Sequence, residues 1–96
     1  MSKPKQRRSQ QVLLRWRAAG LNLVVADELE QAERVFPSWP VDPIHAAAIV
    51  AEEAGELVQA ALQFRYQDGS KEAMRREAIH TIAMGIRFLV ELEEKR

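Results

Sequence analysis

The fold is decided by residues 42–70, which read DPIHAAAIVAEEAGELVQAALQFRYQDGS. Asp42 can cap a helix with its carboxylate, and Pro43 suits the first helical position because its missing N–H is not needed there. The segment Asp68-Gly69-Ser70 supplies a tight turn followed by a new capping residue. The sequence therefore predicts a long helix that ends at about Tyr66 and a second helix that begins directly after the turn.

The second long helix should run from about Lys71 to Glu94, with Glu72 favourably placed near its positive end. Two long helices joined by a short turn form an antiparallel hairpin. Upstream, a helix over residues 21–36 is predicted by apolar residues at steps of three and four, namely Leu21, Val25, Leu29, Ala32 and Phe36. A short helix capped by Ser9 and stopped by Gly20 is expected before it. Because strand-like alternation is absent, the predicted fold class is all-α.

The chain's 96 residues suffice for one domain and exclude a second independent core. Hydrophobic residues make up 47% and charged residues 29%, which is too apolar for a disordered chain. The absence of cysteine excludes a disulfide framework and a thiolate zinc site. No apolar run reaches the roughly 18 residues that a membrane span needs, and no secretory signal is expected at the start. We therefore expect a cytoplasmic protein without a membrane partner.

The net charge of zero conceals an uneven distribution of charge along the chain. Residues 1–17 hold six basic side chains and no acid, whereas the remaining 79 residues hold 8 basic and 14 acidic ones. We therefore divide the chain into a basic arm over residues 1–20, partly disordered or forming the short helix, and a helical domain over residues 21–96. The arm could bind nucleic acid or phosphate. The alternative is a solvated terminus.

The first long helix is expected to carry a broad apolar arc and a narrow polar stripe. The arc consists of Ile44, Ala47, Ala48, Ala51, Val58, Ala61 and Leu62. The stripe consists of His45, Glu52, Glu53, Glu56, Gln59 and Gln63. Its three carboxylates repel one another, and no Lys or Arg occurs between Arg34 and Arg65 to offset the repulsion. A divalent cation would offset it. The alternative is an exposed acidic face.

The second long helix is apolar or small nearly all the way round between Ala78 and Val90, where only His80 and Arg87 are titratable or charged. A helix that is apolar on all sides is normally buried. A small monomer has difficulty surrounding one of its own helices, so we expect partner subunits to cover it. This predicts a homo-oligomer, either a dimer or a tetramer, with the architecture of a four-helix bundle.

Glu77 and His80 lie one turn apart on this helix, and Glu77 shares its side with apolar residues that should be buried. In an antiparallel hairpin, His80 should lie beside Glu56, with Glu53 one turn further along. These carboxylates and the imidazole could enclose one or two cations such as Mg²⁺ or Mn²⁺. The alternatives are a salt bridge from Glu77 to Arg76 or Arg15 and a hydrogen-bonded interior histidine.

Two motifs in these helices resemble those of a known enzyme family. Ala51-Glu52-Glu53-Ala54-Gly55-Glu56-Leu57 is similar to the EExxE element of the MazG-like, all-α nucleotide pyrophosphohydrolases. After 20 intervening residues, Glu77-Ala78-Ile79-His80 stands where that family has ExxD. The resemblance covers about residues 40–92, is weaker over residues 21–39 and does not include residues 1–20.

The resemblance implies a helical hairpin that dimerises, or forms a dimer of dimers, into a four-helix bundle. It implies hydrolysis of a nucleoside triphosphate, or a related nucleotide, to the monophosphate and pyrophosphate with Mg²⁺, or alternatively Mn²⁺. Carried over position by position, Glu53 and Glu56 would be metal ligands from the first motif and Glu77 from the second, with His80 at the fourth position. Glu52 would be a further ligand or would orient water, so that Glu52 and Glu53 become the catalytic candidates.

Four further residues are candidates for contacts with the nucleotide. Lys71, Arg75 and Arg76, near the start of the second long helix, could bind phosphate charge. Trp39 could stack on a base. Each of the four is equally compatible with a solvated or packing side chain.

His80 departs from the family pattern, because imidazole ligates Mn²⁺ or a transition metal but is a poor Mg²⁺ ligand and brings no negative charge. A weakly active or binding-only relative is therefore one alternative. Another is an iron protein, since Glu-x-x-His opposite a glutamate is half of a carboxylate-bridged di-iron site. A third is a non-catalytic helical interaction module that docks on nucleic acid through its basic N-terminus.

Overall fold

The computed structural model describes residues 4–94, with side chains described from Arg8 onward. Over that range the chain forms four helices and no strand: α1 (Pro4–Ala18), α2 (Leu21–Val35), α3 (Pro43–Tyr66) and α4 (Lys71–Glu94). The predicted all-α fold class is confirmed. Residues 1–3 of the predicted basic arm, and the side chains of residues 4–7, lie outside the described part. None of the four helices has the length and apolarity needed to cross a membrane.

α1 begins at Pro4, so the predicted cap at Ser9 is wrong, and Ser9 lies inside the helix. Proline is favoured in the first turn because it has no N–H to leave unpaired and its φ angle is already helical. The predicted stop at Gly20 is confirmed. Gly20 has a φ of 73°, a left-handed conformation that favours glycine. Its amide donates to the carbonyl oxygen of Arg17 at 2.9 Å, which closes the turn between α1 and α2.

The predicted caps of the two long helices are confirmed. Asp42 Oδ1 accepts a hydrogen bond from the amide of Ile44 at 3.0 Å, and Pro43 is the first residue of α3. Ser70 Oγ accepts a hydrogen bond from the amide of Ala73 at 3.0 Å. Both bonds satisfy amides that have no partner within the helix. The antiparallel hairpin therefore begins and turns where local chemistry predicts.

The turn between α3 and α4 requires glycine at position 69. The Gly69 amide donates to the carbonyl oxygen of Gln63 at 2.8 Å, which brings the turn back against the end of α3. A β-carbon on Gly69 would lie 2.7 Å from the backbone nitrogen of Phe64, closer than real atoms approach. Any other residue would have to displace the backbone of α3, so this glycine sets how tightly the hairpin closes.

α4 is the central helix of the fold. It packs most extensively against α3 and also against α2, whereas α1 contacts only α2 among the described helices. The buried apolar residues are Val25, Ala46, Ala60, Ile79 and Ala83. Most of them are small, so the core is thin. The radius of gyration is 15.7 Å, compared with about 12.5 Å for a compact chain of this length, so the chain is extended.

Arg87 holds the connection between α2 and α3 against α4. The residue is only 7% exposed. Its Nη2 atom donates a hydrogen bond to the carbonyl oxygen of Phe36 at 2.9 Å, and its guanidinium lies 4.9 Å from the centroid of the Trp39 ring. A buried charge is costly unless it is paired by such contacts. One charged side chain in the apolar run of α4 thus anchors the segment that leads into α3.

The apolar arc predicted for α3 faces away from the rest of the chain. Ile44 is 78% exposed, Val58 is 59% exposed and Leu62 is 53% exposed. The buried residues are Ala46 and Ala60 instead, which lie on the opposite face that packs against α4. α3 therefore has two apolar faces, of which the narrower packs within the chain and the broader is exposed.

Candidate metal centre

Three helices bring ionisable side chains together around His80. Glu77 precedes His80 by one turn of α4, so both side chains project from the same side. Glu53 approaches from α3 because it lies seven residues from both Ala46 and Ala60, on the face that packs against α4. Glu28 approaches from α2. The ionisable side chains of this group are all partly buried.

The imidazole of His80 has a carboxylate near each of its nitrogens. Nδ1 lies 3.5 Å from Glu77 Oε1 and 3.7 Å from Glu53 Oε1. Nε2 lies 3.5 Å from Glu28 Oε2. Glu53, Glu77 and His80 each offer one potential ligand atom, and these three atoms lie within 4.8 Å of one another. We call these three residues the cluster.

Two carboxylate oxygens of the cluster, Oε1 of Glu53 and Oε1 of Glu77, are buried and have no hydrogen-bond partner in the part of the chain that the structure describes. Burial raises the pKa of Glu53 above its ordinary value, the nearby Glu56 carboxylate raises it further, and His80 acts in the opposite direction. The cause is that a buried carboxylate loses its hydration and meets other negative charges. Unpartnered oxygens beside an imidazole nitrogen fit a divalent cation, which would supply the missing partner.

A salt bridge to Arg76 is the alternative predicted for Glu77. This ion pair is present, and it uses Oε2 of Glu77 rather than the buried Oε1. Arg76 Nε lies 3.7 Å from Glu77 Oε2. The arginine side chain is more than half exposed, so solvent weakens this interaction. Glu77 Oε1 lies on the side of His80 and remains without a hydrogen-bond partner. The ion pair therefore does not satisfy the atom that could bind a cation.

The two other acids of the first motif, Glu52 and Glu56, are exposed and lie outside the cluster. The predicted register, with Glu56 beside His80, is wrong by one turn, because the neighbour of His80 is Glu53. Successive residues rotate by about 100° around a helix, so Glu56 points about 60° away from the direction of Glu53. Glu56 is near enough to raise the pKa of Glu53. Its role as a ligand, and the role of Glu52, stay predictions.

A cavity of about 300 Å³ opens between α2 and α4 next to His80. It is lined by Val24, Asp27, Glu28, Gln31, Glu72, Arg75, Arg76, Ile79 and His80. Two of the predicted phosphate-binding residues, Arg75 and Arg76, therefore lie beside the cluster. Lys71 is exposed at the start of α4, and Trp39 lines a different cavity. The structure brings two of the four substrate candidates to the cluster.

Among the ionisable residues around His80, Glu28 is the one that motif spacing does not identify. Besides its place in the weaker family resemblance over residues 21–39, its signal in the sequence is its position, three residues after Val25 and four before Ala32, on the apolar face of α2. An acid on the packed face of an amphipathic helix needs a partner, because a buried charge is costly without one. The partner is His80, which lies more than fifty residues away in the sequence.

No family model matches the chain, and no curated protein or solved structure matches it either. The resemblance to MazG-like pyrophosphohydrolases therefore depends on the sequence pattern, chiefly on the two motifs. Glu53 of the first motif and Glu77 and His80 of the second lie together in the structure. This proximity is what a common metal site would require, and membership of the family stays a hypothesis.

Proposed function

We propose that this protein is a metal-dependent nucleotide pyrophosphohydrolase, which converts a nucleoside triphosphate or a related nucleotide to the monophosphate and pyrophosphate. The main support is the pair of buried, unpartnered oxygens of Glu53 and Glu77 beside His80. A group that only stabilised the fold would pair these atoms, because an unsatisfied buried polar atom costs roughly 1–3 kcal/mol. Two carboxylates and an imidazole suit Mn²⁺, and suit Mg²⁺ less well.

The acids divide into ligands and supporting residues in this proposal. Glu53, Glu77 and His80 hold the cation. The bound cation would neutralise phosphate oxygens and lower the pKa of an attacking water. Glu56, on the exposed side of Glu53, is a further ligand. Glu52 is either another ligand or the group that orients the attacking water.

The cavity on the Glu28 side of His80 is the proposed site for the nucleotide. At about 300 Å³ it matches the lower end of the range for small-molecule pockets. Arg75 and Arg76 present guanidinium groups there, which can donate paired hydrogen bonds to phosphate oxygens. Asp27 and Gln31 line the α2 side and offer hydrogen-bonding groups for a sugar or a base.

The direct test is pyrophosphate release from a panel of NTPs and dNTPs in the presence of Mn²⁺ or Mg²⁺. We expect release from at least one nucleotide, faster with Mn²⁺ than with Mg²⁺ because imidazole is a poor Mg²⁺ ligand, and none after addition of EDTA. Release that persists in EDTA would contradict a metal-dependent mechanism. If no nucleotide releases pyrophosphate under any condition, the result would favour the non-catalytic interaction module.

A carboxylate-bridged iron centre is a second candidate function, and Glu28 is the observation that favours it. Glu28 adds a carboxylate from a third helix to the Glu-x-x-His pair of α4. Helical di-iron proteins use carboxylates from several helices together with Glu-x-x-His motifs. Iron added in air distinguishes the two functions. The iron protein would become coloured and show oxidase or oxygen chemistry, whereas the pyrophosphohydrolase would not.

We also propose that two copies of the chain associate through the exposed apolar face of α3. α2 and α3 of the same chain already pack against α4, whereas the broad apolar face of α3 has no helix of the described chain packed on it. Along it, apolar or small residues alternate at steps of four and three, namely Ile44, Ala48, Ala51, Gly55, Val58 and Leu62. This is the spacing of a coiled-coil seam, and pairing two chains along it would cover this face of each α3.

Val58→Lys is expected to dissociate this assembly. Light scattering of the wild type should give at least twice the 11.0 kDa chain mass, and the variant should approach the single-chain value. Each dimer loses two buried valines, about 3 kcal/mol or more in total, which weakens association at least about 100-fold. Gln59→Lys is the matched control, because Gln59 is exposed beside the seam and should not alter the mass. A wild type of single-chain mass at all concentrations would contradict the proposal.

A further inference from the structure

His80 faces carboxylates on both sides of its ring, and the two sides differ. On the Nε2 side, the carboxylate of Glu28 is the one within 4.0 Å among the described residues, with Oε2 at 3.5 Å. On the Nδ1 side there are two, with the unpartnered Oε1 atoms of Glu77 and Glu53 at 3.5 Å and 3.7 Å. Nε2 therefore faces one potential hydrogen-bond acceptor, and Nδ1 faces two.

In a neutral imidazole, one ring nitrogen carries a proton and the other carries a lone pair. If the proton is on Nε2, it is directed at Glu28, and a movement of about half an ångström would make a normal hydrogen bond. The Nδ1 lone pair then points toward the two Oε1 atoms of Glu53 and Glu77. A lone pair and two carboxylate oxygens repel one another, and a cation among them converts all three atoms into ligands.

The opposite tautomer fits the surroundings less well. A proton on Nδ1 can be donated to only one of the two Oε1 atoms, so the other stays buried without a partner. The Nε2 lone pair would at the same time face the Glu28 carboxylate, which has no proton to donate. Glu28 therefore favours the tautomer in which Nδ1 is free to bind a metal.

We propose that Glu28 is the positioning residue of the metal centre: it accepts the Nε2 proton of His80 and thereby directs Nδ1, together with Glu53 and Glu77, at a divalent cation of the first transition series. Glu28 is not itself a ligand, since it lies on the far side of the ring from the cluster. A carboxylate behind a metal-bound histidine fixes the ring and makes it more basic. The nitrogen ligand favours Mn²⁺, Co²⁺ or Zn²⁺ over Mg²⁺. This inference rests on the metal centre of the proposed function and not on hydrolysis.

Calorimetric titration of the full chain with Co²⁺, Mn²⁺ and Mg²⁺ tests the role of Glu28. We expect Co²⁺ and Mn²⁺ to bind more tightly than Mg²⁺, and Glu28→Ala to weaken Co²⁺ binding about 10–100-fold. Glu28→Gln should stay within a few-fold of the wild type, because its amide oxygen still accepts the Nε2 proton. Glu30→Ala is the control, since Glu30 is on the same helix but is exposed and pairs with Arg34.

A double-mutant comparison separates a positioning role from a ligand role. In a His80→Ala background, Glu28→Ala should have no further effect on Co²⁺ affinity, because the residue acts only through the imidazole. An equal loss in both backgrounds would show that Glu28 binds the metal directly, and an unchanged affinity in the single variant would show that it has no role. Either result overturns the proposal. Circular dichroism of each variant verifies that it folds.

Imidazole nitrogen NMR of the Zn²⁺-loaded protein gives a readout that a purely structural residue would not change. The chain has two histidines, so the His80→Ala spectrum assigns the signals. We expect the His80 ring to carry its proton on Nε2 and the metal on Nδ1 in the wild type, and to lose this single tautomer in Glu28→Ala. Metal on Nε2 would overturn the inference.

The role of Glu28 in metal binding and the pyrophosphohydrolase activity can fail separately. Metal bound through Nδ1 with no hydrolysis of any nucleotide would leave the role of Glu28 standing and remove the pyrophosphohydrolase activity. Metal-dependent hydrolysis that is accompanied by Nε2 ligation would do the reverse. A wild type that binds no divalent cation would overturn both.

Discussion

Replacing Glu53 with glutamine is expected to lower pyrophosphate release at least about 100-fold, the usual loss when a group that stabilises transition-state charge is removed. The same change should make the metal-free protein more stable. Glu53 Oε1 is buried without a partner, on the same side of His80 as Glu77 Oε1. Glutamine keeps the shape but not the charge, and its amide can donate to Glu77. The gain should be about 1 kcal/mol, the lower end of the cost of an unsatisfied buried polar group.

The stabilisation by Glu53→Gln should depend on pH. Burial raises the folded-state pKa of Glu53 above its ordinary value. The wild type is therefore stabilised by protonation of Glu53 below the ordinary pKa of glutamate, and loses this stability as the pH rises through the raised value. Glutamine does not titrate, so the advantage of the variant should grow from about pH 4 upward. Urea unfolding in EDTA at several pH values measures it.

Two comparison variants show whether the effect belongs to the cluster. Glu77→Gln should also abolish pyrophosphate release, because it removes the second carboxylate beside Nδ1. Glu93→Gln should change neither release nor stability, since Glu93 is exposed near the end of α4. Full activity in Glu53→Gln would remove this acid from the mechanism. If Glu53→Gln is less stable than the wild type, the Glu53 carboxylate stabilises the fold and is not an unpaired group available to bind a metal.

Arg87→Met is expected to lower the free energy of unfolding by about 2–4 kcal/mol, more than any other variant proposed here. The reason is that the variant loses a charged hydrogen bond and a cation–π contact. Methionine fills similar space but cannot donate to the carbonyl oxygen of Phe36 or lie as a cation over Trp39. The connection between α2 and α3 should then detach from α4. Chemical unfolding measures the lost free energy, and a red shift of Trp39 fluorescence reports the detachment.

Arg65→Met is the matched control for this prediction. The guanidinium of Arg65 also lies over an aromatic ring, that of Tyr66, at 5.4 Å from the centroid, but both residues are exposed. Exposed contacts of this kind are worth about 0.5–1 kcal/mol at most. Equal losses in the two variants would mean that burial and the bond to Phe36 contribute nothing measurable at position 87.

The ends of the helices could be predicted because they depend on neighbours in the sequence. Asp42 and Ser70 cap amides two and three residues further along. Gly69 closes the hairpin against a carbonyl six residues earlier. Ser9 shows the limit of such predictions. A good capping residue can lie inside a helix when a proline upstream, here Pro4, allows an earlier start.

The site could be predicted only in part. Motif spacing identifies Glu53, Glu77 and His80, because acids and imidazoles one turn apart on paired helices tend to meet. The choice between Glu53 and Glu56 depends on the rotation of α3 about its axis. That rotation follows from which face of α3 packs against α4, and the sequence offers two apolar faces. The broader one is the better core by composition alone, yet it is the exposed one.

The order and lengths of the long helices, the hairpin and the presence of several acids near one histidine are set by the amino-acid sequence alone. These follow from hydrogen bonds and side-chain periodicity within a few residues. Tertiary packing brings Glu28 to His80, and it brings Arg87 to the carbonyl oxygen of Phe36, which lies 51 residues away. Such contacts arise from how whole helices pack, and packing energy is shared among many side chains that no local pattern brings together.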